Sequence, residues 1–139
     1  MAAVIEKPSP VEGESILISA DSHVMEPHDL WDKRLPRSLR ERAPKYAEAT
    51  HMADKEGGND PKLRISEMAR DGVSAEVLYA TRALDQFAIA DTELQLALFR
   101  VYNEWLAEYC SVAPERLFGV ANISVWDAKQ AVKDIERAK

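Results

Sequence analysis

The sequence has little cysteine and no long apolar run, and both absences exclude classes of protein. Cys110 is the single cysteine among 139 residues, which rules out an intrachain disulfide and a cysteine-cluster metal site. No apolar stretch reaches the roughly 18 residues of a membrane span, and the first residues lack the n-region and h-region of a signal peptide. We therefore expect a cytoplasmic protein without a membrane partner.

Positive charge is in the minority. Lys and Arg number 18 against 24 Asp and Glu, a net charge of −6. Phosphate contacts require a basic face, so we expect no nucleic-acid partner. Because 46% of the residues are apolar, a chain of this length can bury a substantial core. The composition excludes a disordered protein and predicts one domain or less.

Strand and helix patterns alternate along the chain after an aperiodic lead-in at residues 1–14. Short apolar runs predict strands at 16–20, 75–80 and 117–123, and the first of them is expected to be buried on both faces. Capping signals predict helices after Asp60, at Thr92 and after Asp127. The basic stretch 30–45 is interpreted as a solvated loop with a short helix, or as a patch for an anionic substrate or a partner. This βα repetition predicts an α/β fold with a parallel sheet.

Asp21 and His23 directly follow the first predicted strand. Side chains two residues apart on an extended backbone project to the same face. A carboxylate beside an imidazole forms half of a mixed oxygen and nitrogen site that suits zinc, manganese or iron. The same triplet also occurs as a turn aspartate beside a surface histidine, and the spacing alone does not decide between the two.

The residues around this pair extend the pattern. The first strand continues into DSHVMEPHDLW, and the motifs RLP, RAP, MARDGV, YNEW and PERL follow at 34–36, 42–44, 68–73, 102–105 and 114–117. In order and spacing, these motifs resemble the amidohydrolase-related family of metal-dependent hydrolases and decarboxylases, which includes aminocarboxymuconate semialdehyde decarboxylase and γ-resorcylate decarboxylase. The resemblance runs from about Ile16 to the last residue.

The resemblance implies a distorted (β/α)8 TIM barrel with one catalytic divalent metal ion, zinc first, with manganese or iron as alternatives. Asp21 and His23 match the family's metal pair on the first strand. The remaining ligands, a histidine and an aspartate, and the usual catalytic histidine are expected beyond Lys139. Since a complete barrel needs about 250 residues, residues 15–139 are expected to form about three βα units, the N-terminal part of such a barrel.

The family's chemistry implies hydrolysis of a C–O or C–N bond, or non-oxidative decarboxylation of a small carboxylic acid. A small carboxylate, ester or lactone is then the expected substrate, and a homo-oligomer is the common assembly of the family. Four polar residues that follow the metal pair or lie at or after the end of a predicted strand are candidates for substrate binding, although each could also be a loop or surface group: Glu26, His28, Arg82 and Asn122.

A non-catalytic protein is the alternative. In that case the chain is a truncated α/β segment that is inactive or acts only by pairing with another chain. Even within the enzyme hypothesis, two metal ligands are fewer than the three protein ligands of a catalytic zinc ion. We therefore expect the isolated chain to bind metal weakly, to lack turnover and to associate through exposed sheet edges.

Overall fold

The computed structural model describes residues 16–47 and 56–138. Its three strands are β1 (Ile18–His23), β2 (Ala75–Tyr79) and β3 (Leu117–Gly119). Its α-helices are α1 (Leu30–Arg34), α2 (Arg37–Arg40), α3 (Pro61–Arg70), α4 (Thr92–Cys110) and α5 (Ala128–Ala138), and two 3-10 segments lie at Glu56–Gly58 and Arg82–Ala88. The predicted lead-in at 1–14 lies outside the described residues.

The strands form one parallel sheet in the order β1-β2-β3. Each strand is connected to the next by helical segments, as parallel pairing requires. The α/β fold with three βα units that the sequence predicts is therefore confirmed.

β1 contains one irregularity in its pairing with β2. Ser19 pairs with Glu76, but the next paired residue, Ser22, lies opposite Leu78. Two residues of β1 thus face a single residue of β2, which is the arrangement of a β-bulge. After the bulge, His23 lies opposite Tyr79.

The two faces of the sheet have different surroundings. On the helix face, Leu78 and Leu117 are buried, and α4 comes so close that a Cβ on Gly119 would lie 2.6 Å from the Leu106 side chain. On the opposite face, which we call the open face, Ile18 is 56% exposed and Phe118 is 49% exposed. Ile18 pairs with Ala75, and Phe118 pairs with Val77. Because Ala75 and Val77 are two positions apart on β2, the paired side chains all lie on the same face of the sheet.

The core lies between the helix face and the helices. Leu98 and Tyr102 of α4 are fully buried, and so is Trp31 of α1. The Trp31 indole N–H donates to the Leu98 carbonyl at 3.4 Å, so a polar atom in the core is satisfied. The apolar periodicity of α4 is confirmed by its buried positions: Leu94, Leu98, Val101, Trp105 and Tyr109.

The solvated loop predicted at 30–45 is wrong in one respect. The stretch folds into α1 and α2, and five of its apolar side chains belong to the core: Leu30, Trp31, Leu35, Leu39 and Ala43. Its basic side chains remain near the surface, where Arg34 pairs with Glu108 and Lys45 pairs with Asp32. In the sequence, the signal for this burial was the apolar residues that stand between the charged residues of the stretch.

The first and third strands differ from their predicted spans. The prediction of a strand at 16–20 buried on both faces is wrong, because β1 starts at Ile18, extends to His23 and is largely exposed on the open face. β3 ends at Gly119 rather than at residue 123. The backbone of Asn122 is instead bonded to the Asn103 side chain, whose amide accepts from its N–H and donates to its carbonyl.

The helix ends follow local capping chemistry. The Asp60 side chain accepts from the N–H groups of Lys62 and Leu63, as predicted. Gly72 adopts a φ of +73°, which ends α3. The cap predicted at Thr92 is wrong, because Asp91 accepts from the Leu94 N–H instead. Among the described helices, none combines the length and the apolar composition that a membrane crossing needs.

Candidate metal centre

Asp21 and His23 come together near the carboxyl end of β1. Nε2 of His23 lies 3.7 Å from Oδ1 of Asp21, and the two side chains are 45% and 89% exposed. Active sites of parallel α/β folds form at the carboxyl ends of their strands. The predicted pair is thus assembled at the expected end of the sheet, with its polar atoms accessible from the open face.

The His23 ring is held in one orientation. Its Nδ1 lies 2.7 Å from the carbonyl oxygen of Ala80, the residue after β2. Because a carbonyl only accepts, Nδ1 carries the hydrogen and Nε2 of the neutral ring keeps its lone pair. Metal-binding histidines commonly donate their other ring N–H to a carbonyl in this way. The Tyr79 ring, 6.0 Å away between centroids, lies beside the imidazole.

The Nε2 lone pair and the Asp21 carboxylate are therefore two acceptors directed at a shared space. Two ligands about 2.1 Å from a tetrahedral metal ion lie roughly 3.4 Å apart. The observed 3.7 Å is close to that separation, and the donor set fits a divalent ion such as zinc, manganese or iron.

A charged network on the helix face fixes the backbone of the same histidine. Arg64 Nη1 donates to the His23 carbonyl at 2.9 Å, and the Arg64 guanidinium also pairs with the Glu76 carboxylate. Burial acts to lower the pKa of Arg64, but the hydrogen bond and the charge of Glu76 raise it overall. Ser22 completes the network by donating to Glu76 at 3.2 Å.

Sequence reasoning missed this network. The available signal was Glu76, a carboxylate inside the short apolar strand AEVLY, where burial demands a partner. The partner itself was not predictable, because Arg64 belongs to α3 and reaches the strand only through the tertiary fold.

Glu26 lies in the interior, away from the surface. Its side chain is 0% exposed, and its carboxylate accepts from the backbone N–H groups of Thr81, Arg82 and Ala83 at 3.2, 2.9 and 3.1 Å. Burial raises the pKa of the Glu26 carboxyl, while these N–H groups act in the opposite direction. The substrate-binding role predicted for Glu26 does not fit this placement, because the carboxylate has no surface that a substrate could contact.

Asn122 is also buried, at 6% exposure. Its side-chain amide donates to the Ala83 carbonyl at 3.3 Å, and Asn103 holds its backbone. The predicted substrate contact of Asn122 therefore does not fit this placement either. His28, in contrast, is exposed in the loop before α1.

Arg82 packs against Tyr46. Its guanidinium lies over the Tyr46 ring, 5.6 Å from the centroid, and Nη2 donates to the Ala47 carbonyl at 3.1 Å. The Tyr46 hydroxyl in turn donates to the Arg82 carbonyl at 3.0 Å. These contacts join the loop at Tyr46 and Ala47 to the start of the 3-10 segment. None of the hydrogen bonds of Arg82 involves Asp21 or His23.

In the part of the chain that the structure describes, no group of three or more His, Cys, Asp or Glu side chains is arranged to hold a metal ion. Asp21 and His23 therefore stand as a pair of candidate ligands.

Comparison with known proteins gave matches among solved structures only, since no family model and no curated protein matches the sequence. An amidohydrolase from Mycobacterium avium subsp. paratuberculosis K-10 superposes with a TM-score of 0.70 at 17% identity, covering 88% of this chain and 46% of its own. The 2,6-dihydroxybenzoate decarboxylase from Rhizobium superposes with a TM-score of 0.56 at 21% identity, covering 89% and 35%. The chain has the fold of part of a TIM barrel.

A third structure adds a metal to this comparison. The dihydroxybenzoic acid decarboxylase from Polaromonas sp. JS666, with bound manganese and the inhibitor 2-nitroresorcinol, has a TM-score of 0.56 at 22% identity, covering 89% of this chain and 35% of its own. This chain thus spans less than half the length of the structures that it matches. The resemblance predicted from the motifs is confirmed at the level of the fold.

Proposed function

We propose that this chain supplies the first metal-ligand pair of a metal-dependent enzyme that hydrolyses a C–O or C–N bond or decarboxylates a small carboxylic acid. One observation carries the proposal: the His23 ring donates through Nδ1 to Ala80 and directs Nε2 toward the Asp21 carboxylate, 3.7 Å away. The fold shared with amidohydrolase and decarboxylase structures supports it.

The proposed cofactor is one divalent ion, zinc or manganese. Zinc suits one carboxylate and one imidazole ligand, and manganese is supported by the metal in the Polaromonas decarboxylase. When bound, such an ion lowers the pKa of a coordinated water and polarises substrate oxygens. Asp21 contributes a negative charge to the pair, and His23 contributes a neutral nitrogen whose direction the Ala80 carbonyl fixes.

The open face gives the proposed substrate its surroundings. Val77 and Tyr79 of β2 and Phe118 of β3 lie on this face by register. An apolar and aromatic wall beside a metal-ligand pair suits a small ring or chain that carries one carboxylate, ester or lactone group. The dihydroxybenzoate decarboxylases among the structural neighbours support a carboxylate of this size.

A second candidate function is a non-catalytic segment that acts by pairing with another chain. The observation that favours it is the half-exposed apolar surface of Ile18 and Phe118. The two candidates differ in one measurable property, selective binding of a divalent ion at Asp21 and His23.

Manganese titration of the isotopically labelled 139-residue chain tests the proposal, because the paramagnetic ion broadens NMR signals of nearby nuclei even when it binds weakly. We expect the His23 ring signals to broaden before those of the exposed His28. Zinc should then displace manganese and restore the His23 signals.

Three variants make this titration specific. Asp21→Ala should remove the selective broadening of the His23 ring, and His23→Ala should remove the selective broadening of the backbone amide signals at the end of β1. Glu41→Ala, which deletes an exposed carboxylate after α2, should leave both unchanged. Equal broadening of both histidine rings in the unmodified chain would refute the metal pair. In any longer product of the same reading frame, the first two variants should also abolish metal-dependent turnover.

A further inference from the structure

A single peptide group links the buried Glu26 carboxylate to the His23 ring. The N–H of Thr81 donates to Glu26 Oε1 at 3.2 Å, and the carbonyl of Ala80 accepts from His23 Nδ1 across 2.7 Å. These two polar groups belong to the same peptide unit, 80–81. Because a trans peptide is planar and its C=O and N–H point in opposite directions, fixing the N–H also fixes the carbonyl. No cis peptide occurs among the described residues.

The neighbouring N–H groups strengthen this fixation. Arg82 and Ala83 also donate to the Glu26 carboxylate, at 2.9 and 3.1 Å, so the carboxylate holds three consecutive amides at the start of the 3-10 segment. A carboxylate that accepts several backbone N–H bonds is strongly favoured in its position. The Glu26 side chain is completely buried, so bulk water does not compete with the carboxylate for these N–H groups.

We propose that Glu26 is a positioning residue for the metal pair: through the 80–81 peptide it holds His23 with Nδ1 as the donor and Nε2 directed toward Asp21. The inference rests on the proposed function to the extent that the directed nitrogen is a metal ligand. In this proposal, the buried Glu26 carboxylate contacts no substrate itself but controls the orientation of the His23 ring, which binds the metal.

A merely structural role for Glu26 predicts something different. The loop after β1 is also joined to the end of β2 and the loop after it by two other hydrogen bonds. Thr81 Oγ1 donates to the Val24 carbonyl at 2.7 Å, and the Val24 N–H donates to the Tyr79 carbonyl at 2.9 Å. If Glu26 only added stability, removing it would lower the free energy of unfolding but leave the His23 ring as it is. The tautomer of the ring separates the two roles.

The test compares Glu26→Leu and Glu26→Gln with the matched control Thr81→Val. The leucine leaves all three N–H groups without an acceptor, whereas the glutamine keeps one acceptor oxygen and presents an amide N–H₂ to the others. Thr81→Val removes one hydrogen bond between the same loops but leaves the Glu26 contacts in place. All variants are made in the full 139-residue chain without added metal.

The readout is the long-range ¹H–¹⁵N correlation of the His23 ring nitrogens, recorded where the imidazole is neutral. We expect the parent chain and Thr81→Val to carry the hydrogen on Nδ1. In Glu26→Leu the Nε2–H tautomer should become substantial, with Glu26→Gln intermediate. If Glu26→Leu does not fold, Glu26→Gln carries the test. A parent-like tautomer in the folded Glu26 variants would overturn the inference.

A manganese titration of the same variants extends the test to the ligand nitrogen. Loss of an outer partner of a metal-binding histidine costs roughly tenfold or more in affinity, so Glu26→Leu should bind manganese about tenfold more weakly than Thr81→Val. The two failures are distinguishable. Altered tautomers without any selective manganese binding by the parent would uphold the positioning role and reject the proposed function, whereas selective binding with unaltered tautomers would do the reverse.

Discussion

His23 is fixed through both its ring and its backbone, and different charged residues do the two tasks. The ring depends on the 80–81 peptide that Glu26 holds, and the backbone carbonyl depends on Arg64. Both carboxylates behind these contacts, Glu26 and Glu76, are buried. At the scale of single residues, the accessible pair of candidate ligands is therefore supported by inaccessible charges.

Loss of the Glu76 charge should substantially lower the free energy of unfolding. Arg64 and Glu76 are each 12% exposed in their side chains, and breaking a buried ion pair from one side costs about 3 kcal/mol or more. We expect Glu76→Gln to lower the free energy of unfolding by roughly that amount in urea titrations. The control is Asp71→Asn, whose pair with Arg70 is exposed and worth less than about 1 kcal/mol. Similar losses in both variants would contradict the buried-pair description.

Tyr109 should make the protein sensitive to alkaline pH. Its hydroxyl donates to the Gly57 carbonyl at 2.6 Å, and burial raises its pKa from 10.0 to about 12. The folded state then retains a proton that the unfolded state releases between these pH values. Stability should therefore fall as the pH rises from about 10 to about 12, by up to about 3 kcal/mol for this residue.

The matching variant is Tyr109→Phe, which cannot ionise. Burial also raises the pKa of Tyr102, so the variant should have a shallower loss of stability over the same pH range, not a flat profile. Denaturant unfolding at several alkaline pH values measures both slopes. Identical slopes would show that Tyr109 does not ionise on unfolding in this range.

The sequence predicted some of these residues for a clear physical reason. Asp21 and His23 are two positions apart on one strand, so their proximity follows from local geometry. The burial of Glu26 and Asn122 was not predicted, because their partners lie far away in the chain. Glu26 accepts from N–H groups 55 to 57 positions away, and Asn122 donates to a carbonyl 39 positions away. Nothing local marks such a carboxylate or amide as interior.

At the scale of elements, the close approach of α4 to β3 depends on a missing side chain. A Cβ on Gly119 would lie 2.6 Å from two atoms of Leu106, which is shorter than carbon contacts allow. α4 is the longest helix and carries much of the core. The position of this helix on the sheet is therefore set partly by a glycine in the shortest strand.

We expect Gly119→Ala to lower the free energy of unfolding by about 1–3 kcal/mol, because the added methyl overpacks the interface. The effect should shrink when Leu106 is also replaced by alanine, since the colliding atoms are then removed. A double-mutant cycle on Gly119→Ala and Leu106→Ala measures this coupling. Additive losses would show that the collision with Leu106 is not the cause.

Helices were easier to predict than strands. α3 follows from Asp60 and Pro61 at its start and Gly72 after its end, all of them local signals. The bounds of β1 and β3 depend instead on where pairing with β2 stops, and shortly after β3 the Asn122 backbone is bonded to the Asn103 side chain. Patterns within one segment do not contain that information.

For the whole molecule, the βα alternation was sufficient to predict a parallel sheet, and the motifs predicted the barrel type. The expectation of a first strand buried on both faces failed because it assumed a covered open face. Ile18 and Phe118 are about half exposed there. On α5, Val132 and Ile135 are 55% and 50% exposed, so the last helix also presents an apolar side to solvent in the described structure.

Exposed apolar surface of this extent favours association. We expect the 139-residue chain to sediment as larger species as its concentration rises. Combined Ile18→Lys and Phe118→Lys should reduce this association, whereas Leu63→Lys, on the partly exposed face of α3, should not. A chain that sediments as a monomer at every concentration would contradict this prediction.

The bulge in β1 determines which face of the sheet carries the candidate ligand pair. Ser19 pairs with Glu76 and Ser22 with Leu78. If all residues after Ser19 paired regularly, without the bulge, His23 would lie opposite Ala80 and its side chain would turn to the helix face. Deletion of the exposed Ala20 would remove the bulge but keep His23 opposite Tyr79, so the imidazole should remain on the open face. In related sequences, a one-residue gap at this point of an alignment would therefore be compatible with an imidazole on the open face.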